Sequence, residues 1–135
     1  YVLEHLELPP PPDRGAAAGS GGGARKKFVE DPSIPIQGRA RNAHYRNSGF
    51  DRGHLAPAAD YRPPFAGPEG DTYTLANASP MVPSLNRGRW ARLEAFVRGV
   101  AFSALSSGAS VHVATGPLFL PSAATASGSY RYDYV

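Results

Sequence analysis

The sequence predicts an α+β domain. Three observations carry that expectation: one long stretch with helical apolar spacing, short β-branched and aromatic runs on both sides of it, and no internal repeat. The chain has 135 residues, which favours a single domain spanning 1–135. A domain of that size buries roughly two-thirds of its unfolded surface and folds without staples. Disulfides, thiol nucleophiles and cysteine-based metal centres are excluded, because the sequence contains no cysteine.

The elements follow in chain order. Tyr1 to Leu8 reads as a strand belonging to a sheet formed further along the chain. Pro9-Pro10-Pro11-Pro12 and the Gly- and Ala-rich run that follows can bury almost nothing, so residues from about 9 to 24 read as a solvated surface insertion. Phe28 to Tyr61 is rich in turn formers and arginine. Asp71 to Ala76 has the composition of a short strand, and Pro80 and Pro83 then interrupt the chain. Ser84 is a suitable N-cap for a helix running from about Leu85 to Leu105. Trp90, Leu93, Val97 and Val100 recur there at three- and four-residue steps as a core stripe, and Gly108 ends the helix. Val111 to Ala114 is a strand that stops at Thr115-Gly116-Pro117. A last strand lies around Tyr130 to Val135, where the chain finishes inside sheet structure, so further sheet is expected to be missing.

Charge and targeting signals narrow the function classes. Formal net charge is +3 and the isoelectric point about 9.4, a mildly basic balance that suits a polyanionic partner. The excess sits in the middle of the chain: Gly38 to Arg98 holds nine Lys/Arg against five Asp/Glu. No apolar run approaches the ~18 residues of a membrane span. The first residues carry neither the basic nor the apolar region of a targeting peptide.

Two segments concentrate chemistry. Asp51-Arg52-Gly53-His54 supplies an imidazole, whose ordinary pKa near neutrality suits it to take a proton from water. The helix opening, Leu85 to Glu94, supplies the Asn86 amide oxygen, a carboxylate eight positions later and several guanidinium groups. Such a set suits phosphodiester hydrolysis: Mg²⁺ prefers oxygen ligands and keeps most of its waters, so one or two protein oxygens suffice. Asn86 and Glu94 lie about 80° apart around an ideal helix and can face one cavity from successive turns.

At these residues the sequence resembles the DNA/RNA non-specific endonucleases, and within them the endonuclease G branch. The similarity rests on the tetrad at 51–54, Leu75-Ala76-Asn77-Ala78-Ser79-Pro80, the helix from Asn86 to Glu94, the stretch from Ala43 to Phe50, and Thr115 to Pro121. It covers about residues 28 to 135. The resemblance implies a ββα-metal (His-Me finger) nuclease fold, a mixed sheet with the active-site helix packed on it, and a chain that is C-terminally incomplete relative to the family domain. It assigns His54 as general base, Asn86 as the direct ligand of Mg²⁺ (with Mn²⁺ as a substitute), and Glu94 as the holder of a metal-bound water. Arg52 and Asn77 support site and substrate. Arg25, upstream of Phe28-Val29-Glu30-Asp31 and a residue or two out of register, corresponds to a phosphate-binding arginine. Arg87 and Arg89 are candidate substrate-backbone contacts. The implied substrates are DNA and RNA, cut to 5′-phosphate and 3′-hydroxyl ends, and the branch implies a mitochondrial homodimer. Asp60 departs from the pattern by adding negative charge near the substrate.

Plainer roles stand beside these. Asn86 suits a helix cap, although Ser84 can take that place; Glu94 can pair with Arg98 one turn on, and Arg52 can pair with Asp51 or Asp60. His5, His44 and His112 lack the paired spacing of metal ligands and read as structural or surface residues. A non-catalytic nucleic-acid-binding relative, or an inactive fragment of a nuclease, is the alternative function.

Overall fold

The structure, a computed structural model, describes residues 1–8, 26–65, 67, 69–121 and 132–134. The Pro/Gly-rich insertion and Arg25 lie outside the described residues. Among the described residues, six strands and two α-helices appear in the order β1 (Val2–Leu6), α1 (Asn42–Tyr45), β2 (Asp51–His54), β3 (Ala78–Met81), α2 (Ala91–Ser106), β4 (Val111–Thr115), β5 (Phe119–Pro121) and β6 (Tyr132–Tyr134). The strands pair antiparallel as β1 with β4, β2 with β3, and β5 with β6.

Tyr1 to Leu8 does join a strand from far down the chain. Leu6 opposes Val111 and Val2 opposes Thr115, which turns Glu4 and Leu6 inward and Leu3 and His5 outward. Leu6 and Ala101 of α2 meet Phe65 in the core, with Leu8, Leu105, Val111 and Val113 packed around them. Gly108, at φ +84°, closes α2: its N–H donates to Leu105 and that of Ala109 donates to Ala104, the paired bonds of a Schellman cap.

Three local expectations are corrected. Asp71 to Ala76 is not a strand; Glu69–Tyr73 and Leu75–Asn77 form 3₁₀ turns, because local bonds claim the polar side chains. Thr72 Oγ1 donates to the Glu69 carbonyl and Thr74 Oγ1 accepts from the Ala76 N–H. The strand comes next, in Ala78–Met81, and it contains Pro80, which a two-stranded ribbon tolerates at an outward edge. Ser84 is not the cap: Pro83 and Ser84 are already helical, and the Val82 carbonyl accepts from both Leu85 and Asn86. The core stripe is only partly covered, since Leu93 is 49% and Val100 53% exposed while Trp90 and Val97 are half-buried. Inward packing of α2 runs through Ala101 and Leu105 instead.

Candidate active site

The β2–β3 pair is the frame of the site. Arg52 opposes Pro80 and His54 opposes Ala78, so the ribbon carries the tetrad along one strand. Gly53 faces Met81 so closely that an added Cβ would meet the Met81 thioether; only glycine fits between Arg52 and His54. Trp90 Nε1 donates to the His54 carbonyl at 3.1 Å and fastens the helix to the strand end. Between Pro83 and α2, residues Leu85–Trp90 form a wider, π-type turn that carries Asn86, Arg87 and Arg89.

A cleft of about 980 Å³ opens where this turn meets β2, lined by Lys26, Lys27, Phe28, Asn42, Phe50, Asp51, Arg52, Asn86 and Arg87. Four of these side chains are cationic and one is anionic, so the cleft favours an anion. Asp51 organises its wall: its carboxylate accepts two bonds from Arg87, at 2.8 and 2.7 Å, and one from Asn86 Nδ2 at 3.1 Å. Anchoring Nδ2 fixes the amide and leaves Oδ1, a hard neutral donor, on its other side. That donor fits Mg²⁺ or Mn²⁺, which take oxygen ligands and complete their shells with water. Arg52 lies over the Tyr45 ring, 5.0 Å from its centroid, and donates to the Asn42 carbonyl. Its Nε is buried without a hydrogen-bond partner among the described residues.

His54 stands one ring away from the cleft. Its imidazole packs against Phe28 at 4.7 Å and Tyr73 at 4.9 Å between centroids, and Nε2 is buried without a hydrogen-bond partner among the described residues. Burial pushes its pKa below the ordinary histidine value, so the ring is neutral and basic at pH 7. Asn77 is buried and fully engaged. Oδ1 accepts from the Ala56 N–H at 2.8 Å, and Nδ2 donates to the Ala56 and Thr72 carbonyls at 2.9 Å each. It pins the chain leaving His54, and its side-chain hydrogen bonds go to Ala56 and Thr72, not to the cleft lining.

Glu94 and Asn86 do not share a cavity. Glu94 lines a separate space of about 280 Å³ with Glu4, Asp60, Trp90 and Val97. Burial raises the Glu94 pKa, with Arg98 opposing and Asp60 adding to the rise. Asp60 is likewise interior: it is 2% exposed and paired with Arg98 at 2.6 Å, so its charge does not bear on the cleft. Arg89 is exposed and is not part of the cleft lining. Asp51, Asn42 and the Lys26-Lys27 pair were not singled out in the sequence. The adjacent lysines before Phe28 were its one visible signal, whereas the role of Asp51 depends on a partner on a distant helix.

A ribbon and helix around a basic cleft, with an asparagine at the helix opening, have the arrangement of the ββα-metal fold. The sequence model of that class, DNA/RNA non-specific endonuclease, matches residues 3–132, and the chain belongs to this family. It is 46% identical over 109 residues to human mitochondrial endonuclease G, covering 80% of this chain and 35% of that protein. Nuclease C1 of Cunninghamella echinulata var. echinulata is 44% identical over 110 residues, covering 80% of this chain and 41% of that protein. The mitochondrial nuclease of Saccharomyces cerevisiae is 40% identical over 108 residues, covering 79% and 31%. A crystal structure of the EndoG/EndoGI complex, described as showing the mechanism of EndoG inhibition, superposes with a TM-score of 0.69 at 32% identity, covering 98% of this chain and 50% of that one. The chain thus spans about a third to two-fifths of these curated relatives. Among the described residues no helix is long and apolar enough to cross a membrane.

Proposed function

We propose that this chain carries the catalytic cleft of a Mg²⁺-dependent, sugar-non-specific endonuclease acting on DNA and RNA. The observation that carries this reading is Asn86, oriented by Asp51 in a cationic cleft on the family's ribbon-and-helix frame. Lys26, Lys27, Arg52 and Arg87 grip phosphate rather than base edges, which accounts for tolerance of sequence and of sugar. A metal held through Asn86 Oδ1 would supply charge stabilisation at the phosphate oxygens. Neutral His54 accepts at Nε2 the proton of the attacking water. The new bond forms between water oxygen and phosphorus, the bond from phosphorus to the 3′ oxygen breaks, and that oxygen takes a proton from solvent while His54 releases the one it accepted. The products are a 5′-phosphate and a 3′-hydroxyl. For this transfer the Phe28 ring, which packs on the imidazole and also lines the cleft, has to move aside. The names of the human and yeast relatives support a mitochondrial location, and self-association into a homodimer belongs to the same reading.

One observation favours a second reading, binding without cleavage: His54 Nε2 is buried, and the ring is not part of the cleft lining. Nicking of supercoiled plasmid by this chain separates the two. Cleavage that needs Mg²⁺, stops with EDTA and is lost in His54→Ala supports the enzyme. Retarded plasmid with no nicking, or nicking that survives His54→Ala, refutes it for this chain. Glu94→Gln in the same assay tests the water-holding role expected of that carboxylate.

A further inference from the structure

A second constellation of metal-ligating groups lies away from the cleft, on the outward face of the β1–β4 pair. His5 and His112 are direct cross-strand partners. Their imidazoles stack with centroids 4.4 Å apart and planes within 9°. Glu7, two positions along β1's direction on the same face, sets an oxygen 3.2 Å from His5 Nδ1, and both side chains are open to solvent, 48% and 65% exposed. A carboxylate that accepts the Nδ1 proton settles the tautomer: it leaves the lone pair on Nε2, the arrangement commonly found behind metal-bound histidines.

We propose that His5 and His112 form a bidentate surface site for a borderline divalent cation of the Zn²⁺, Cu²⁺ or Ni²⁺ type, with Glu7 as the orienting carboxylate. Two nitrogens at zinc–nitrogen bond lengths of about 2.0–2.1 Å and a tetrahedral angle lie about 3.3 Å apart. Planes within 9° cannot both contain one ion, so both rings must turn out of the stack to converge their Nε2 lone pairs, a rearrangement open to two solvent-exposed side chains on adjacent strands. Water fills the remaining positions. Imidazole donors select these cations over Mg²⁺, so this site and the Asn86 cleft take different metals. The bound ion would staple the first strand to β4, joining the two sides of the Pro/Gly-rich insertion. The resulting stabilisation would grow with metal concentration.

The test uses the full, untagged chain, stripped with chelator and titrated calorimetrically with ZnCl₂ and, separately, MgCl₂. The expected result is one Zn²⁺ per chain at this site. Affinity falls at least about tenfold in His5→Ala and in His112→Ala, and roughly tenfold in Glu7→Gln. Melting temperature should rise with Zn²⁺ in the parent chain and not in the double variant His5→Ala/His112→Ala. Imidazole NMR of the parent adds a readout that needs no variant, in which Zn²⁺ shifts the His5 and His112 resonances together while Mg²⁺ moves neither. Zn²⁺ binding of equal affinity in parent and double variant overturns the proposal. So does a Zn²⁺ titration of the parent that leaves the His5 and His112 resonances in place.

Discussion

Replacing Glu4 by glutamine should stabilise the protein at alkaline pH and do little at acid pH. Glu4 is 1% exposed, and neither carboxylate oxygen has a partner of hydrogen-bonding geometry among the described residues. Burial, reinforced by the Asp60 charge, pushes its pKa from 4.5 to about 7, with Tyr61 and Arg98 offsetting only part of the rise. The folded state therefore holds this proton more tightly than the unfolded chain. The benefit is full below about pH 4.5 and is lost as pH climbs through about 7. At 1.36 kcal/mol per pKa unit, ionisation costs the folded state about 3 kcal/mol at pH 8.5 and less than about 0.5 kcal/mol at pH 4.5. Glutamine keeps the shape and has no charge to desolvate. Its own unpartnered amide carries a cost, but an equal one at both pH values, so the difference between them is the measured quantity. Urea unfolding followed by the fluorescence of Trp90, the single tryptophan, gives that difference directly. Equal effects of Glu4→Gln at pH 4.5 and 8.5 would show that the carboxylate is solvated in solution and that the interior cavity is not closed around it.

Asn77→Ala removes three buried hydrogen bonds and strands the Ala56 N–H and two carbonyls, a loss of about 3 kcal/mol. Urea unfolding should show it, and an unchanged midpoint with lost nicking would instead make Asn77 a group that touches substrate. Gly53→Ala forces its new methyl into buried Met81 and should cost about 1–3 kcal/mol; a neutral result in thermal melting would show that Met81 swings away freely. Because burial lowers the His54 pKa, the acidic limb of the pH profile of kcat/KM should fall below the ordinary histidine value of 6.5. A limb at or above that value, or none at all, would remove His54 from the role of base.

The elements legible in the sequence were those specified locally. The periodic helix, its stop at Gly108 and the strand at Val111 all rest on neighbours within a turn or two. The 71–76 segment misled because β-branched and aromatic composition does not distinguish a strand from a 3₁₀ run whose threonines bond to their own backbone. The His5–His112 pair was invisible for a different reason: its spacing is set by strand register between opposite ends of the chain, and no local ligand pattern encodes it. The pairing of Asp60 with Arg98 was hidden in the same way, since the two lie 38 positions apart in the chain.

The site residues divide along the same line. An ideal helix would set Asn86 and Glu94 about 80° apart, close enough to share a cavity. The π-type turn at Leu85–Trp90 holds more residues per turn than an α-helix, so that angle no longer applies once the chain enters α2. Asn86 and Arg87 then reach back to Asp51 while Glu94 is carried to the side where Asp60 and Arg98 meet. The same irregular turn makes both neighbours, Asn86 and Arg87, bond one carboxylate, so Asp51 couples the candidate metal ligand to the candidate phosphate contact. The tetrad's first residue thus acts across the cleft, its third makes room for Met81, and its fourth is tied to the helix through Trp90. Each of the four consecutive residues meets a different set of neighbours. The contacts at Asp51, Arg52 and Gly53 constrain those side chains, whereas the tie at His54 runs through its backbone carbonyl, so the first three positions have a physical reason beyond the reactivity of the histidine.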